Sequence, residues 1–358
     1  MWTSWLFTSL KSVRLWAPAL CVFLLFTPET TTAGDDPLSP EATGSFNLYF
    51  ENDVFAGTDR NYTNGIKISW ISPDLSRYRD SEDLPDWSLP WIRRLPFINE
   101  PGLQRNIALC IGQSMYTPEK THRRDLVPDD RPYAGWAYGG IAFHSKNDRR
   151  LDTIEIQAGM VGPASFAEQT QAQVHRLRGI PVPQGWEHQL HNEPGLLMIY
   201  ERKNRLFQRD WSGWGLDAIT HLGAGLGNVA TYANAGIEVR AGWNLPADFG
   251  AALIRPAGDT NAPVRALDSR ISRGRRFSLH IFGAVSGRAV LRDVFLDGNT
   301  FTSSHSVNKE PFVADVSAGV CMEYGRYKLS YAQVVRSREF ERQREHHSFG
   351  SVTLTVAY

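Results

Sequence analysis

Residues 235–243 read AGIEVRAGW, and apolar and polar side chains alternate along this stretch. Neighbouring side chains of a β-strand point to opposite faces of the sheet. One face of this segment therefore carries Ile237 and Trp243, while the other carries Glu238 and Arg240. The pattern predicts a strand with an apolar face that ends on a tryptophan and an opposite face that is charged.

The same alternation recurs along most of the chain. Predicted strands cover residues 45–53, 63–72, 104–115, 133–145, 150–161, 194–203, 213–227, 231–244, 276–296, 311–324, 326–337 and 348–358. The count is twelve if the ninth segment is one long strand, and thirteen if Ser286 and Gly287 form a turn within it. Because bacterial single-chain barrels contain an even number of strands, we expect twelve.

The predicted strands favour an all-β fold, a transmembrane antiparallel β-barrel in a bacterial outer membrane. Aromatic residues near strand ends, strands of roughly ten residues and a last strand that ends on Tyr358 are typical of such barrels. A closed sheet also satisfies every backbone polar group in lipid. The alternative is a secreted β-sandwich, which shows the same alternation with its polar face in water.

The charged residues of the polar faces bear on what the inside of such a barrel contains. Charges of both signs would face the lumen and close it by ion pairing. These residues are Glu51, Lys67, Glu201, Glu238, Arg240 and Lys328. After the N-terminal segment, no stretch of 18 residues is continuously apolar, which excludes spanning helices.

The N-terminal segment indicates export. Basic residues precede an apolar run at 15–26, and small residues ending at Ala33 follow it. This order predicts a secretory signal peptide at residues 1–33 and a barrel domain at 34–358. The apolar run is shorter than the 20 or so residues that a membrane-spanning helix needs. An uncleaved anchor is the alternative.

Charge and cysteine content exclude other classes of protein. The chain has 38 lysines and arginines against 38 aspartates and glutamates, so no basic field predicts nucleic-acid binding. The predicted mature chain contains Cys110 and Cys321, which are far apart in sequence and imply no disulfide framework.

The strand count predicts which connections face the cell exterior. With the first strand rising, these are residues 54–62, 116–132, 162–193, 228–230, 297–310 and 338–347. The long polar segments 73–103 and 245–275 then fall on the periplasmic side, which is unusual because periplasmic turns are normally short.

The external segment 162–193 contains the one predicted helix of this region, packed at the rim. Pro163 opens it, apolar residues recur at helical spacing, and Gly179 ends it. Gln171 and His175 are four residues apart, so both project from the same face of the helix.

The hairpin between the first two strands, residues 50–65, reads FENDVFAGTDRNYTNG. Asn52 and Asp53 close one strand, and Thr63 lies near the start of the next. Because the helix overhangs the same rim, a carboxylate, an amide, a hydroxyl and an imidazole can converge there. That set suits ester hydrolysis. Taken singly, each residue has an ordinary interpretation, since Asn-Asp pairs are common in turns.

Six segments of the chain resemble, in order, those of the outer-membrane lipid A 3′-O-deacylases. They are FENDVFAGTDRNYTNG, IGQSMYTP (111–118), DRPYAGW (130–136), QTQAQVHRLRG (169–179), GWEHQLHNEP (185–194) and FLDGNTF (295–301). The resemblance extends across nearly the whole predicted mature chain. It implies a twelve-stranded barrel and a calcium-dependent esterase that removes the 3′-linked acyloxyacyl group from lipid A of lipopolysaccharide in the outer leaflet.

The resemblance also implies roles for particular residues. The catalytic positions of the family fall on Asn52, Thr63, Gln171 and His175 of this chain. We hypothesise that His175 takes a proton from the attacking water and that Gln171 orients the ring or the water. Asn52 and Thr63 would donate hydrogen bonds to the developing oxyanion. Attack by Thr63 as a nucleophile is the alternative.

The calcium ligands implied by the resemblance are only partly matched. The aspartate of the family's Asn-Asp pair falls on Asp53, but the family's glutamate has no counterpart at 176–186, where this chain has no acidic residue. Glu187 and Glu193 are the next candidates. Calcium prefers oxygen ligands of this kind.

Three other functions remain open from the sequence. They are another outer-membrane lipid hydrolase of phospholipase type, a passive pore, and an adhesion or structural barrel. For the deacylase we expect lipid A and outer-membrane lipid as partners, no nucleic acid, and a monomeric protein.

Overall fold

Twelve antiparallel strands close into one barrel in the structure, which is a computed structural model. Each strand pairs with its neighbours in chain order, and the first strand pairs with the last. The strands are β1 Ser45–Asn52, β2 Asn61–Ile71, β3 Gln104–Thr117, β4 Ala134–Lys146, β5 Arg150–Val161, β6 Glu193–Trp211, β7 Trp214–Gly227, β8 Ala230–Trp243, β9 Phe277–Asp293, β10 Phe312–Tyr324, β11 Tyr327–Arg336 and β12 His347–Ala357. The predicted fold class and strand number are confirmed.

The structure describes residues 44–56, 61–75, 89–92, 94, 100, 102–251, 253–254 and 277–358. The predicted signal peptide at 1–33 lies outside the described residues.

Short helices lie in the connections between strands. The α-helices are α1 Leu89–Ile92, α2 Ala167–Arg178 and α3 Val294–Asp297, and 3₁₀ turns cover Asp53–Ala56, Pro163–Ser165 and Trp186–His188. In the part of the chain that the structure describes, no helix combines the length and apolar character needed to cross a membrane.

Helix α2 begins later than predicted. Pro163 opens a 3₁₀ turn, and Phe166 then adopts a left-handed backbone with φ of 58°, so the α-helix starts at Ala167. The predicted end is confirmed, since Gly179 takes the left-handed conformation with φ of 65° that commonly terminates helices.

The two ends of the barrel differ in their connections. We call the end that holds Ser45 and Ala357 the lower rim, and the opposite end the upper rim. Short turns lie at the lower rim, including Ser212 and Gly213, whose φ angles of 48° and 88° suit a tight hairpin. The connections between β2 and β3 and between β8 and β9 also begin and end there. They therefore share a rim with Ser45 and Ala357, as the strand count predicted; their periplasmic location stays a prediction.

The outer wall of the barrel is apolar and banded by aromatic side chains. Exposed aliphatic residues such as Ile68, Leu109 and Ile281 project from its middle. An aromatic girdle follows the lower rim from β6 to β11 and consists of Trp211, Trp214, Trp243, Phe277, Tyr324 and Tyr327. This arrangement matches the lipid-facing surface of outer-membrane barrels.

The inner wall carries the charges that the sequence assigned to it. Glu51, Lys67, Glu201, Arg240 and Lys328 are each at most 3% exposed. The Arg240 guanidinium donates to both carboxylate oxygens of Asp217, at 2.9 and 2.6 Å. The prediction of ion pairs within the lumen is therefore confirmed.

Residues 245–251 and 253–254 fold back from the lower rim into the lumen, and we call them the lumenal segment. The buried Asp248 carboxylate contacts both Arg240 and Lys328. Phe249 is buried in a cluster with Leu151 and Ile219. Filling of the lumen therefore accounts for the first part of the long connection between β8 and β9.

Candidate functional site

The hairpin between β1 and β2 places Asn52 and Asp53 at the upper rim. Asn52 is the last residue of β1 and lies between Asn64 and Gly350 of the flanking strands. Its side-chain oxygen accepts a hydrogen bond from the backbone N–H of Val54 at 2.8 Å, which turns the chain into the 3₁₀ helix that Asp53 begins. Asp53 is completely buried.

Thr63 is the extra residue of a β-bulge on β2. The pairing of β2 with β3 shifts between Tyr62 and Asn64, leaving Thr63 without a register partner. Its hydroxyl forms a 2.7 Å hydrogen bond with the hydroxyl of Thr117, the last residue of β3. Because a bulge redirects a side chain, Thr63 can face the same side of the wall as Thr117.

Helix α2 packs on the outer face of β3 and β4 at this rim. The Gln113 side chain donates to the carbonyl of Ser165 at 2.6 Å, just before the helix begins. Gly135 of β4 lies directly beneath the helix start, where a side chain would collide with Ser165 and Ala167. The position of the helix thus requires a residue without a side chain at Gly135 of β4.

The Nδ1 of His175 has a defined partner. Its Nδ1 lies 2.7 Å from the carbonyl oxygen of Pro181, and its side chain is 6% exposed. A carbonyl only accepts, so Nδ1 must carry the proton in this contact. In the neutral ring, Nε2 is then the nitrogen with the lone pair, which is the form a general base requires.

Gln171 is held one helical turn before His175. Its side-chain oxygen accepts a 2.8 Å hydrogen bond from the indole N–H of Trp186. Trp186 is buried with Met115, Tyr133 and Ala167, so a packed cluster fixes the donor. The segment that follows the helix therefore orients both predicted catalytic side chains of α2.

The opposite side of α2 is exposed and carries three large apolar residues. Leu177 is 81% exposed and Phe166 is 64% exposed, and Val174 lies on the same surface at 44%. Arg176 and Arg178 follow in the last turn. On a helix attached to the lipid-facing wall, such a surface is suited to the boundary between acyl chains and headgroups.

The three predicted metal ligands lie on different elements. Asp53 begins the 3₁₀ helix of the hairpin, and Glu187 follows Trp186 with a side chain that is 67% exposed. Across the described ranges, no three or more His, Cys, Asp or Glu side chains are grouped closely enough to hold a metal ion. A calcium site here would therefore depend on backbone and amide oxygens as well as on Asp53.

Glu193 holds a neighbouring loop in place through hydrogen bonds. Its carboxylate accepts hydrogen bonds from the side chains of Asn228 and Asn299 and from the backbone N–H groups of Thr300 and Phe301. Asn299 also exchanges hydrogen bonds with the backbone of His191, in the segment that follows α2. These contacts give Glu193 a structural role at the upper rim.

The predicted catalytic residues thus form two groups, and an element that carries each group contacts the upper end of β3. Thr117 contacts Thr63 of the hairpin, while Met115 packs beneath α2. Sequence reasoning missed Thr117 and Trp186 as parts of this arrangement. Both lie within segments that carry the family resemblance, which was the available signal.

A closed twelve-stranded barrel with an apolar outer wall defines an outer-membrane β-barrel protein. A family model described as outer membrane protein LpxR matches residues 19–358. The chain belongs to this family, which confirms the resemblance to the lipid A 3′-O-deacylases and the outer-membrane location.

One solved structure of this family supports the fold. LpxR from Salmonella typhimurium superposes with a TM-score of 0.68 at 18% sequence identity, covering 87% of this chain and 99% of that one. The β-domain of the Bordetella autotransporter BrkA gives a TM-score of 0.42 at 8% identity, covering 88% of this chain and 99% of that one. No curated protein matches the sequence.

Proposed function

We propose that this protein is a calcium-dependent ester hydrolase that removes the 3′-linked acyloxyacyl group from lipid A of lipopolysaccharide. The observation that carries the proposal is the setting of His175. Its Nδ1 donates to the Pro181 carbonyl, so in the neutral ring Nε2 carries the lone pair. The imidazole sits on a helix against the lipid-facing wall, and this helix and the hairpin that bears Thr63 both contact the upper end of β3.

The proposed reaction begins at Nε2 of His175. This nitrogen accepts a proton from water as the water oxygen bonds to the acyl carbon. The bond between the acyl carbon and the sugar oxygen then breaks, and the sugar oxygen takes up the proton that His175 accepted. The products are the acyloxyacyl group as a free carboxylic acid and a sugar hydroxyl. Gln171 orients the ring or the water, and Asn52 and Thr63 donate to the oxyanion.

The position of α2 supports a lipid substrate. A site between a helix and the outer wall opens toward the bilayer, so an acyl chain can enter without leaving the membrane. Leu177 and Phe166 would contact acyl chains, and Arg176 and Arg178 would lie near the phosphates of lipid A. The upper rim, with its long loops, would face the cell exterior.

Calcium binding is part of the proposal. Asp53 supplies a completely buried carboxylate at the hairpin, and a carboxylate removed from water is stable when it is paired or coordinates a metal. Backbone carbonyl oxygens would complete the oxygen-rich shell. When bound, calcium supplies a Lewis acid that polarises the ester carbonyl.

The calcium requirement can be tested by titration. Chelator should abolish fatty-acid release by the purified protein, and added calcium should restore it. D53N should weaken calcium binding measured by calorimetry, whereas E193Q should leave it unchanged because Glu193 fastens a loop. Equal calcium affinity in D53N and the wild type would exclude Asp53 as a ligand.

The reaction itself is tested by mass spectrometry of lipid A. Cells that produce the protein should yield lipid A lacking the 3′ acyloxyacyl group, and cells that produce H175A should not. Heat-modifiable migration would show that H175A still forms a barrel. Unmodified lipid A from the wild-type cells, together with release of fatty acid from phospholipid vesicles, would identify a phospholipase instead.

A further inference from the structure

The lumenal segment is firmly anchored in the lower half of the barrel. The Asp248 carboxylate joins Arg240 of β8 to Lys328 of β11. The Phe249 carbonyl accepts a hydrogen bond from Lys203, and the backbone N–H of Ala251 donates to Glu238 at 3.0 Å. These contacts come from several strands and fix the segment against the wall.

The upper end of the segment reaches the inner face of the first hairpin. The backbone N–H of Ile254 donates to Oε1 of Glu51 at 2.7 Å. Leu253 packs against a buried cluster that contains Tyr62 and Phe349. A side chain on Gly65 would collide with the Tyr62 hydroxyl at 1.9 Å and would approach the Cδ1 of Ile254 at 3.1 Å, so this glycine makes room for both residues.

Two hairpin residues on the lumenal side of the wall directly precede two predicted site residues. Glu51, which Ile254 contacts, comes before Asn52, and Tyr62, in the cluster against which Leu253 packs, comes before Thr63. Glu51 faces the lumen and Asn52 falls on the opposite face by strand alternation. The segment therefore supports from inside the part of the wall whose outer face carries the site.

We propose that the lumenal segment is an internal brace that positions the site hairpin, and that Glu51 is a positioning residue. Glu51 is 1% exposed, so loss of its contact would leave a buried polar group unsatisfied. A displacement of about 1 Å in a catalytic group can lower the rate roughly 100-fold. The effect on catalysis rests on the proposed deacylase activity, whereas the bracing itself does not.

Hydrogen exchange measured by mass spectrometry tests the bracing directly. In E51A, which removes the acceptor, and in L253A, which removes the apolar contact, amides of residues 51–54 and 61–64 should exchange about tenfold faster. E51Q keeps an acceptor oxygen and should stay within about threefold of the wild type. E201A is the matched control, because this lumenal carboxylate contacts Asn234 in the wall.

Unchanged exchange of the hairpin in E51A overturns the proposal, and if E51A does not assemble, L253A decides alone. Faster exchange in β6 to β8 as well as in the hairpin would mean general loosening of the barrel and would also overturn it. Fatty-acid release should fall about 10- to 100-fold in E51A through kcat, with KM little changed. If the wild-type protein releases no fatty acid, the proposed function is contradicted. The proposed brace is then tested by the hydrogen-exchange result alone.

Discussion

At the residue scale, the helix end that holds His175 also supplies its partner. The left-handed Gly179 ends α2, and the backbone N–H of Ile180 then bonds to the His175 carbonyl at 3.0 Å. The chain is thereby turned so that the Pro181 carbonyl meets Nδ1. The ring orientation is thus a consequence of local backbone geometry.

The hydrogen bond from Trp186 to Gln171 can be tested by a single substitution. W186F keeps an aromatic ring in the cluster but removes the indole N–H that bonds to Gln171. Since the amide could then rotate, we expect fatty-acid release to fall about tenfold while heat-modifiable migration stays intact. W214F, at an exposed tryptophan of the lower girdle, is the matched control. A wild-type rate in W186F would show that the orientation of Gln171 does not need this bond.

The sequence could predict that Gln171 and His175 share a helix face, because that follows from spacing alone. It could not predict their partners. The Pro181 contact depends on the turn after the helix, and the Trp186 contact depends on how that turn packs against β3 and β4. Glu193 shows the same limit, since its acidity suggested a metal ligand while the structure surrounds it with four hydrogen-bond donors.

At the element scale, α2 lies on β4 because Gly135 has no side chain. A Cβ there would collide with the Ser165 hydroxyl and the Ala167 methyl. G135A should therefore displace the helix and lower fatty-acid release at least about tenfold without preventing barrel assembly.

The matched control for G135A is G139A on the same strand. The nearest atom to a Cβ at Gly139 is the Cys110 carbonyl oxygen at 3.8 Å, an ordinary contact distance. We expect wild-type release from G139A. Equal rates for the two variants would mean that helix position does not limit the reaction.

Two upper-rim loops are joined by a buried ion pair, which predicts a pH dependence. Arg131, in the loop between β3 and β4, donates to Glu339, in the loop between β11 and β12, at 3.1 Å. Burial alone would raise the pKa of Glu339, but Arg131 and Arg336 hold it below its ordinary value of 4.5. The stabilising contribution is therefore complete above that ordinary value and is lost as the pH falls through the lowered pKa.

Thermal unfolding of the wild type and E339Q between pH 7 and pH 3 tests the pairing. Below the ordinary pKa, the wild type should lose at most about 1.4 kcal/mol per pH unit through this group. E339Q carries no titrating carboxylate and should show a smaller slope. Parallel pH dependences in the two proteins would contradict the assigned role of Glu339.

Strand boundaries were largely predictable because alternation is a local property. β6 is the exception, since the pattern predicted residues 194–203 and the strand runs from Glu193 to Trp211. A bulge between Arg205 and Phe207 shifts the pairing with β7 and places Leu206 and Phe207 both on the exposed side. Strict alternation fails at a bulge, so the end of β6 escaped detection.

At the scale of the whole molecule, closure of the barrel followed from strand number and export, but filling of the lumen did not. The lumenal segment has no strand or helix pattern, and its contacts join residues far apart in sequence, such as Ile254 and Glu51. Local patterns carry no information about such pairs. For this reason the sequence shows that the connection between β8 and β9 is long but does not show what its residues contact.

The filled lumen argues against a passive pore and predicts a conductance result. Asp248 links β8 to β11 across the interior, and Arg240 also binds Asp217 of β7, so charged groups and the segment backbone occupy the passage. The wild-type protein should show no steady ion conductance in planar bilayers.

Replacing residues 246–254 by a short Gly-Ser linker should open a conducting path if the barrel still assembles, and D248A should give intermittent openings. Because buried Arg240 and Lys328 lose their shared partner in both variants, heat-modifiable migration must be measured alongside. Steady wild-type conductance would contradict the closed lumen and restore the pore as a function.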